Sequence, residues 1–181
     1  MDLMTILIQP VGAVDDSLIS FIEVEIGSIY GSVEVMPMVH IPASLRDPGR
    51  GQLDGSAVLM ALPPPEGGDA VLGVVEGDLF VADLNFVFGL AHRRRAMISL
   101  ERLRQEFYGL SPDPDLFRER AKKETVHELG HVFGLRHCGD DECVMHSSNS
   151  IDEADLKGWR YCRRCQKMLE GSGMKPAILS R

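Results

Sequence analysis

Basic excess, long apolar runs and scattered cysteines are all missing from this 181-residue sequence. With 19 Lys and Arg against 27 Asp and Glu, the net charge is −8, which removes the electrostatic footprint of a nucleic-acid binder. No stretch comes near the roughly 18 consecutive apolar residues of a membrane span, so no membrane partner is expected. The start, Met1-Asp2-Leu3-Met4-Thr5-Ile6-Leu7-Ile8, carries an acid where a secretory leader carries a base, and reads as a strand. A cytoplasmic location is therefore expected. Internal repeats and low-complexity segments are absent. What remains is an ordinary globular balance, 44% apolar and 25% charged, long enough to bury a core as one domain or one domain with a small appendage.

One stretch carries chemistry: His127-Glu128-Leu129-Gly130-His131-Val132-Phe133-Gly134-Leu135-Arg136-His137. Its first five residues read H-E-x-x-H. On a helix, positions i and i+4 share a face, so His127 and His131 can aim two imidazoles at one ion. Glu128 can sit beside that ion without binding it, where a carboxylate takes a proton from metal-bound water. Gly134 can adopt positive φ at low cost, end the helix and bring His137 back as a third ligand. Three neutral imidazoles leave a tetrahedral position open, the arrangement of a catalytic zinc. The bland alternative is an amphipathic helix with surface histidines, but the full H-E-x-x-H-x-x-G-x-x-H pattern is the metzincin signature.

Just downstream stand Cys138, Cys143 and Met145, then Cys162 and Cys165 as C-x-x-C. With the histidine motif, this combination over residues 127–165 resembles the archaemetzincins, a zinc metallopeptidase family. The 16 residues between Met145 and Cys162 are about one fewer than in the family pattern, within loop tolerance. The resemblance implies that Met145 is the Met-turn residue beneath the histidines, supporting the site without chemistry. Some metzincins place a tyrosine two residues past this methionine; here that position is Ser147, which removes any tyrosine-assisted step. His146 is expected to support the site or face solvent, because a fourth protein ligand would close the open position.

Every cysteine in the chain belongs to this set. Four thiolates make a closed tetrahedral zinc site of structural character. Two disulfides, a redox C-x-x-C and an iron–sulfur cluster are the alternatives; zinc at Cys138, Cys143, Cys162 and Cys165 is preferred, giving two zinc ions per chain.

Taken in order, residues 4–9 read as a buried strand. Asp15 or Asp16 caps a helix to about Tyr30 with Leu18, Ile19, Phe21, Ile22, Val24, Ile26 and Ile29 inward. Residues 33–41 read as a strand with an irregularity at Pro37, residues 52–62 as a short helix ended by Pro63-Pro64-Pro65, and residues 71–75 as a strand apolar on both faces. By resemblance, Asn85–Leu90 is the antiparallel edge strand above the metal, to which a peptide could add. His92-Arg93-Arg94-Arg95 reads as a solvated turn before a fifth strand at 96–100. Asp113 caps, and Pro114 begins, the helix that carries the first two ligands. Ser150 and Glu153 match a capping box for a helix near Ile151; the tail from Gly171 reads as loosely ordered.

The expected fold is α/β (α+β) and metzincin-like. A twisted, mixed five-stranded sheet with helices and the active-site helix forms an N-terminal catalytic lobe, residues 1–134. A small C-terminal lobe, residues 135–181, holds the third ligand, the Met-turn and the four-cysteine zinc site. The expected function is Glu-assisted hydrolysis of peptide or protein substrates by a monomer. The alternatives are a zinc-containing peptide-binding protein with little activity and hydrolysis of a non-peptide amide. Endopeptidase and aminopeptidase readings both stay open.

Overall fold

The computed structural model describes residues 4–172. From Met4 two helices are set among eight strands: β1 (Met4–Val11), α1 (Asp16–Tyr30), β2 (Gly31–Val35), β3 (Leu53–Asp54), α2 (Gly55–Ala61), β4 (Ala70–Val75), β5 (Leu79–Val81), β6 (Leu84–Val87), β7 (Gly89–His92) and β8 (Arg95–Ser99). Three helices follow: α3 (Pro114–Val132), α4 (Ile151–Leu156) and α5 (Arg163–Gly171). The main sheet has five strands in the order β2-β1-β4-β8-β7, parallel except for β7, which runs antiparallel to β8 at one edge. The fold is thus the expected mixed α/β one.

Side chains alternate across these strands and feed two cores. Ile6, Ile8, Leu72, Val74, Ala96 and Ile98 pack toward α1 and α3. Leu7, Val71, Val75 and Met97 pack toward α2 and a small second sheet of β3, β5 and β6. Each such aliphatic side chain, fully buried, is worth about 1.5–3 kcal/mol. Pro10 is tolerated within β1 because the side on which its N–H is missing is where β2 has already ended; its carbonyl still accepts from Val39 N at 3.0 Å. The segment 135–172 has no separate apolar centre: Leu135, Val144, Met145, Tyr161 and Leu169 join the same cluster as Ile26, Val126 and Leu129.

Capping residues fall where the sequence places them. Asp15 accepts from Ser17 N at 2.7 Å, and Asp113 accepts from Leu116 N at 3.0 Å with Pro114 opening α3. Ser150 accepts from Glu153 N at 3.3 Å, but Glu153 reaches back to Asn149 N rather than Ser150 N. The basic run is the expected turn, with Arg93 at φ 55° and Arg94 donating to the Gly68 and Asp69 carbonyls.

Several boundaries differ. The strand expected at 33–41 stops at Val35; Pro37 breaks it, its carbonyl accepting from Gln9 Nε2 at 2.7 Å, and only an isolated bridge at Val39 resumes the pairing. The helix expected from Gln52 begins at Gly55, because Gln52 is held by Asp78 and Asp54 serves as the cap. The edge strand expected at Asn85–Leu90 is split: Leu84–Val87 pairs with β5 in the small sheet, and the true edge is Gly89–His92. Buried Phe88 marks the break, its carbonyl accepting from Ser99 N at 2.7 Å. Val24, expected inward, is 69% exposed, since it lies about 200° around the helix from both Ile22 and Ile26. Helix α5 was not expected, and the tail beyond Ser172 lies outside the described residues.

Candidate metal centre and active site

Helix α3 supplies His127 and His131 from one face, with ring centroids 4.7 Å apart. The helix ends at Val132, and Gly134, at φ 91°, turns the chain while its N–H donates to His131 O at 3.0 Å. That turn returns His137 to within 5.4 Å and 4.9 Å of the other two rings. One nitrogen from each ring lies within 4.8 Å of the others. His127 is buried, His131 half-buried and His137 exposed, so the cluster opens toward solvent.

Hydrogen bonding sets the tautomers. His127 Nδ1 lies 2.7 Å from Val144 O, and His131 Nδ1 lies 2.8 Å from Leu135 O. A carbonyl only accepts, so both Nδ1 atoms carry the proton and both Nε2 lone pairs face inward. Those Nε2 atoms stand 3.1 Å apart. Two acceptors at that distance repel unless a cation joins them, so the donor set fits a metal ion. Burial, then the Lys157 charge, pushes the His127 pKa down to about 2. Burial also lowers His131 and His137. Neutral imidazole is the ligating form.

Glu128 is buried between α3 and the edge strand. A Cβ added at Gly89 would come within 2.6 Å of Glu128 Cγ and Oε1, so the carboxylate passes where only glycine leaves room. Burial raises its pKa well above the usual carboxylate range; Glu124 adds to this and Lys157 opposes it. Met145, fully buried, lies against Gly130, where an added Cβ would collide with its Sδ. The methionine segment thus packs under α3, and Val144 next to it holds His127.

Four sulfur atoms, from Cys138, Cys143, Cys162 and Cys165, lie within 4.8 Å of one another. The cross-paired Sγ distances, Cys138–Cys162 and Cys143–Cys165, are both 3.8 Å, far beyond a disulfide bond. Backbone N–H groups of Asp140 and Cys162 point at Cys138 Sγ and Cys143 Sγ at 3.5 and 3.3 Å, and Arg164 donates to Cys138 Sγ at 3.4 Å. Burial opposes thiolate formation at Cys138, but the Asp140 N–H, the Cys162 and Cys165 thiols and Arg164 together outweigh it and lower its pKa; burial pushes Cys143 up to about 11 and Cys165 up as well. Four thiolates would hold together only around a cation, which is what this donor set fits. His146 donates from Nδ1 to Cys138 O at 3.1 Å, between the two clusters.

A cleft of about 600 Å³ runs past the histidines. One wall is residues 84–91; the other is α3 from Glu124 to His131 with His137, Ser147, Ser148, Asn149 and Lys157. Sequence reasoning brought together His127, Glu128, His131, His137 and the four cysteines as the structure does. It missed Glu124, Lys157 and Gly89. Glu124 had a legible signal, three and four residues before His127 and Glu128 on the same helix face; Lys157 and Gly89 had none. It also missed Tyr161, which donates to Val126 O at 2.9 Å and pairs with the hydroxyl of Tyr30.

A parallel-sheet layer, an antiparallel edge and a helix presenting H-E-x-x-H to a returning histidine define the metzincin class of zinc metallopeptidases. The model of peptidase family M54 matches residues 67–171. An archaemetzincin of Methanocaldococcus jannaschii is 48% identical over 178 residues, covering 97% of this chain and 98% of its own. The crystal structure of an archaemetzincin from Archaeoglobus fulgidus, complexed with malonate, matches with TM-score 0.82 and 35% identity over 91% of this chain and 99% of that one. A zinc-dependent peptidase from Methanocorpusculum labreanum matches with TM-score 0.81 and 30% identity, again over 91% and 99%. The chain belongs to peptidase family M54, the archaemetzincins, which are zinc metallopeptidases.

Proposed function

We propose that this chain hydrolyses peptide bonds with Glu128 as the proton-transfer group and His127, His131 and His137 holding the catalytic zinc. The observation that carries the reading is the inward convergence of the imidazole nitrogens, two of them with tautomers fixed by Val144 O and Leu135 O. Zinc, when bound, supplies Lewis acidity, polarising the scissile carbonyl and making water a nucleophile near neutral pH. Glu128 takes the proton of the attacking water and passes it to the leaving amine. Burial raises its proton affinity, and a cation held beside it would pull that affinity back toward the range in which a carboxylate is charged and can accept a proton at neutral pH. The outer edge of β7 positions the substrate as an added strand, through main-chain hydrogen bonds.

The four cysteines hold a second, structural zinc, and Met145 and Gly134 shape the floor and turn of the first site. Residues 1–134 and 135–181 are read as two lobes, the first supplying both long walls of the cleft and the second adding His137, Ser147, Ser148, Asn149 and Lys157. In this reading the enzyme is a cytoplasmic monomer acting on peptides or proteins, with no nucleic-acid or membrane partner; no described helix is long and apolar enough to cross a membrane.

The test is cleavage of a peptide library by wild type and Glu128→Gln, each with its zinc content measured. Cleavage by wild type alone, with equal zinc in both, supports the reading. Zinc-loaded wild type that binds peptides and cleaves none contradicts it and leaves a zinc-containing peptide-binding protein.

A further inference from the structure

One stretch of the cleft wall is held differently from the rest. Strand β4, at the middle of the main sheet, is buried along its whole length. Strand β6 is the last of the small sheet; Leu84 and Asn85 in it are exposed, and Phe86 and Val87 are half-buried. Its pairing with β5 is irregular. Between the pairs Leu79–Val87 and Val81–Leu84, Asn85 and Phe86 of β6 stand against Phe80 alone. A bulge of this kind takes a backbone group out of the ladder and re-aims the strand. Shallow burial and a broken ladder do not by themselves fix where β6 stands.

Side chains from outside the cleft supply the rest. Gln52 Nε2 donates to Asn85 O, within the irregular stretch, at 2.9 Å. The Arg102 guanidinium lies over the Phe86 ring, 4.2 Å from its centroid, and over Phe107 at 4.6 Å. Both holds trace to buried Asp78. Its Oδ1 accepts from Arg102 Nε at 2.6 Å; its Oδ2 accepts from Arg102 Nη2 at 2.8 Å and from Gln52 Nε2 at 2.9 Å. A two-point arginine–carboxylate pair fixes orientation as well as distance. The Gln52 amide spends both its hydrogens, one on Asp78 and one on β6. Asp78, Gln52 and Arg102 do not line the cleft, whereas all of β6 does. The reacting centre meets this wall at Gly89, which stands against Glu128. From there the wall runs one way along β7 and the other way, past Phe88, along β6. A peptide centred on Glu128 therefore has the main-sheet edge to one side and the bracketed strand to the other.

We propose that Asp78 is a positioning residue for the substrate: through Gln52 and Arg102 it sets the stance of β6, and β6 grips the part of a peptide that runs from the scissile bond away from β7. This rests on the peptidase reading above for what occupies the cleft, and it places a determinant of substrate grip away from the metal.

The experiment reads binding, with cleavage as a separate arm. Alanyl peptides of increasing length carry a metal-chelating hydroxamate at the C-terminal end in one series and at the N-terminal end in the other, so the chain leaves the metal in opposite directions. Affinities for the zinc-loaded protein are measured by calorimetry for wild type, Asp78→Asn, Arg102→Met and Gln52→Leu. The last leaves the Arg102–Asp78 pair whole and serves should the others fold poorly. In wild type, lengthening the peptide should tighten binding roughly tenfold in each series. In one series that gain should shrink to within about threefold in Asp78→Asn and Arg102→Met, and less far in Gln52→Leu. The other series, and the affinity for acetohydroxamate, which reaches only the metal, should stay as in wild type. Equal losses in both series, as from a fold merely loosened, would overturn the proposal. So would an undiminished gain in the variants, or no gain with length in wild type. Failure of every hydroxamate to bind overturns it together with the open metal site. In the cleavage arm, KM for a long peptide should rise about tenfold in Asp78→Asn, with kcat within about twofold of wild type; a fall in kcat alone would count against the positioning role. Peptides that bind in the expected pattern but are never cleaved leave that role standing and sink the peptidase reading alone.

Discussion

His137 and Cys138 are neighbours in sequence, yet they belong to clusters of opposite character. The histidine cluster grades from buried His127 to exposed His137, faces a cleft and has a buried carboxylate, Glu128, beside it. The cysteine cluster has four donors, three of them buried, and is ringed by backbone N–H groups and Arg164. Three protein donors leave room for a reacting molecule; four leave none. The difference teaches how one short segment divides its labour. Val144 and Leu135 orient His127 and His131 through their carbonyls, while four cysteines, two before Val144 and two after it in sequence, gather beside the segment that carries it. In the proposed reading the closed site is the mount for the open one.

The strongest way to break this comparison is to remove the mount. In Cys143→Ser, zinc content should fall from two ions per chain to one, and stability should drop on the order of 5 kcal/mol, since metal affinity at a structural site is folding energy. Activity should fall with it, because His137 follows directly into the loosened segment. Calorimetric unfolding with metal analysis checks this; an unchanged Tm would mean that the cysteines bear no load.

A smaller effect should come from disturbing the open site without touching a ligand. Gly89→Ala places a methyl group within 2.6 Å of Glu128 Cγ and Oε1. Turnover should fall roughly 100-fold through misplacement of the carboxylate, with zinc content nearly unchanged. Steady-state kinetics beside metal analysis separates this from metal loss.

The mildest probe is pH on the metal-free protein, where the two clusters should fail at opposite ends. His127 is neutral when folded, its pKa pushed from 6.5 to about 2 by burial and then by Lys157. Its contribution is complete above pH 6.5 and is lost as pH falls toward 2. Cys143 is held protonated when folded, its pKa pushed by burial from 9.0 to about 11. Its contribution is complete below pH 9.0 and is lost as pH rises through 11. Urea midpoints across pH should therefore decline on both sides; added zinc should steepen the acid limb, where protons compete for the imidazoles, and remove the alkaline one.

Much of this site was legible because its parts are close in sequence. The i, i+4 histidines, the Gly134 turn and the cysteine spacings are local, and local geometry is what a sequence states most directly. The caps at Asp15, Asp113 and Ser150 were legible for the same reason. Lys157 and Gly89 were not, because their importance arises only when distant segments meet α3. The edge strand was misplaced by a few residues because 84–91 is largely apolar, and nothing local says that Phe88 turns inward and divides it between two sheets. Val24 misled by composition: an isoleucine-rich helix invites one more aliphatic residue onto a face it does not reach.

The proposed function rests on one open-sided and one closed metal ion per chain. Anomalous diffraction at the zinc absorption edge tests this directly. The predicted result is two peaks, one among His127, His131 and His137 with a non-protein atom completing its coordination, the other enclosed by the four sulfur atoms. A single peak, or a protein side chain filling the fourth position beside the histidines, would contradict it.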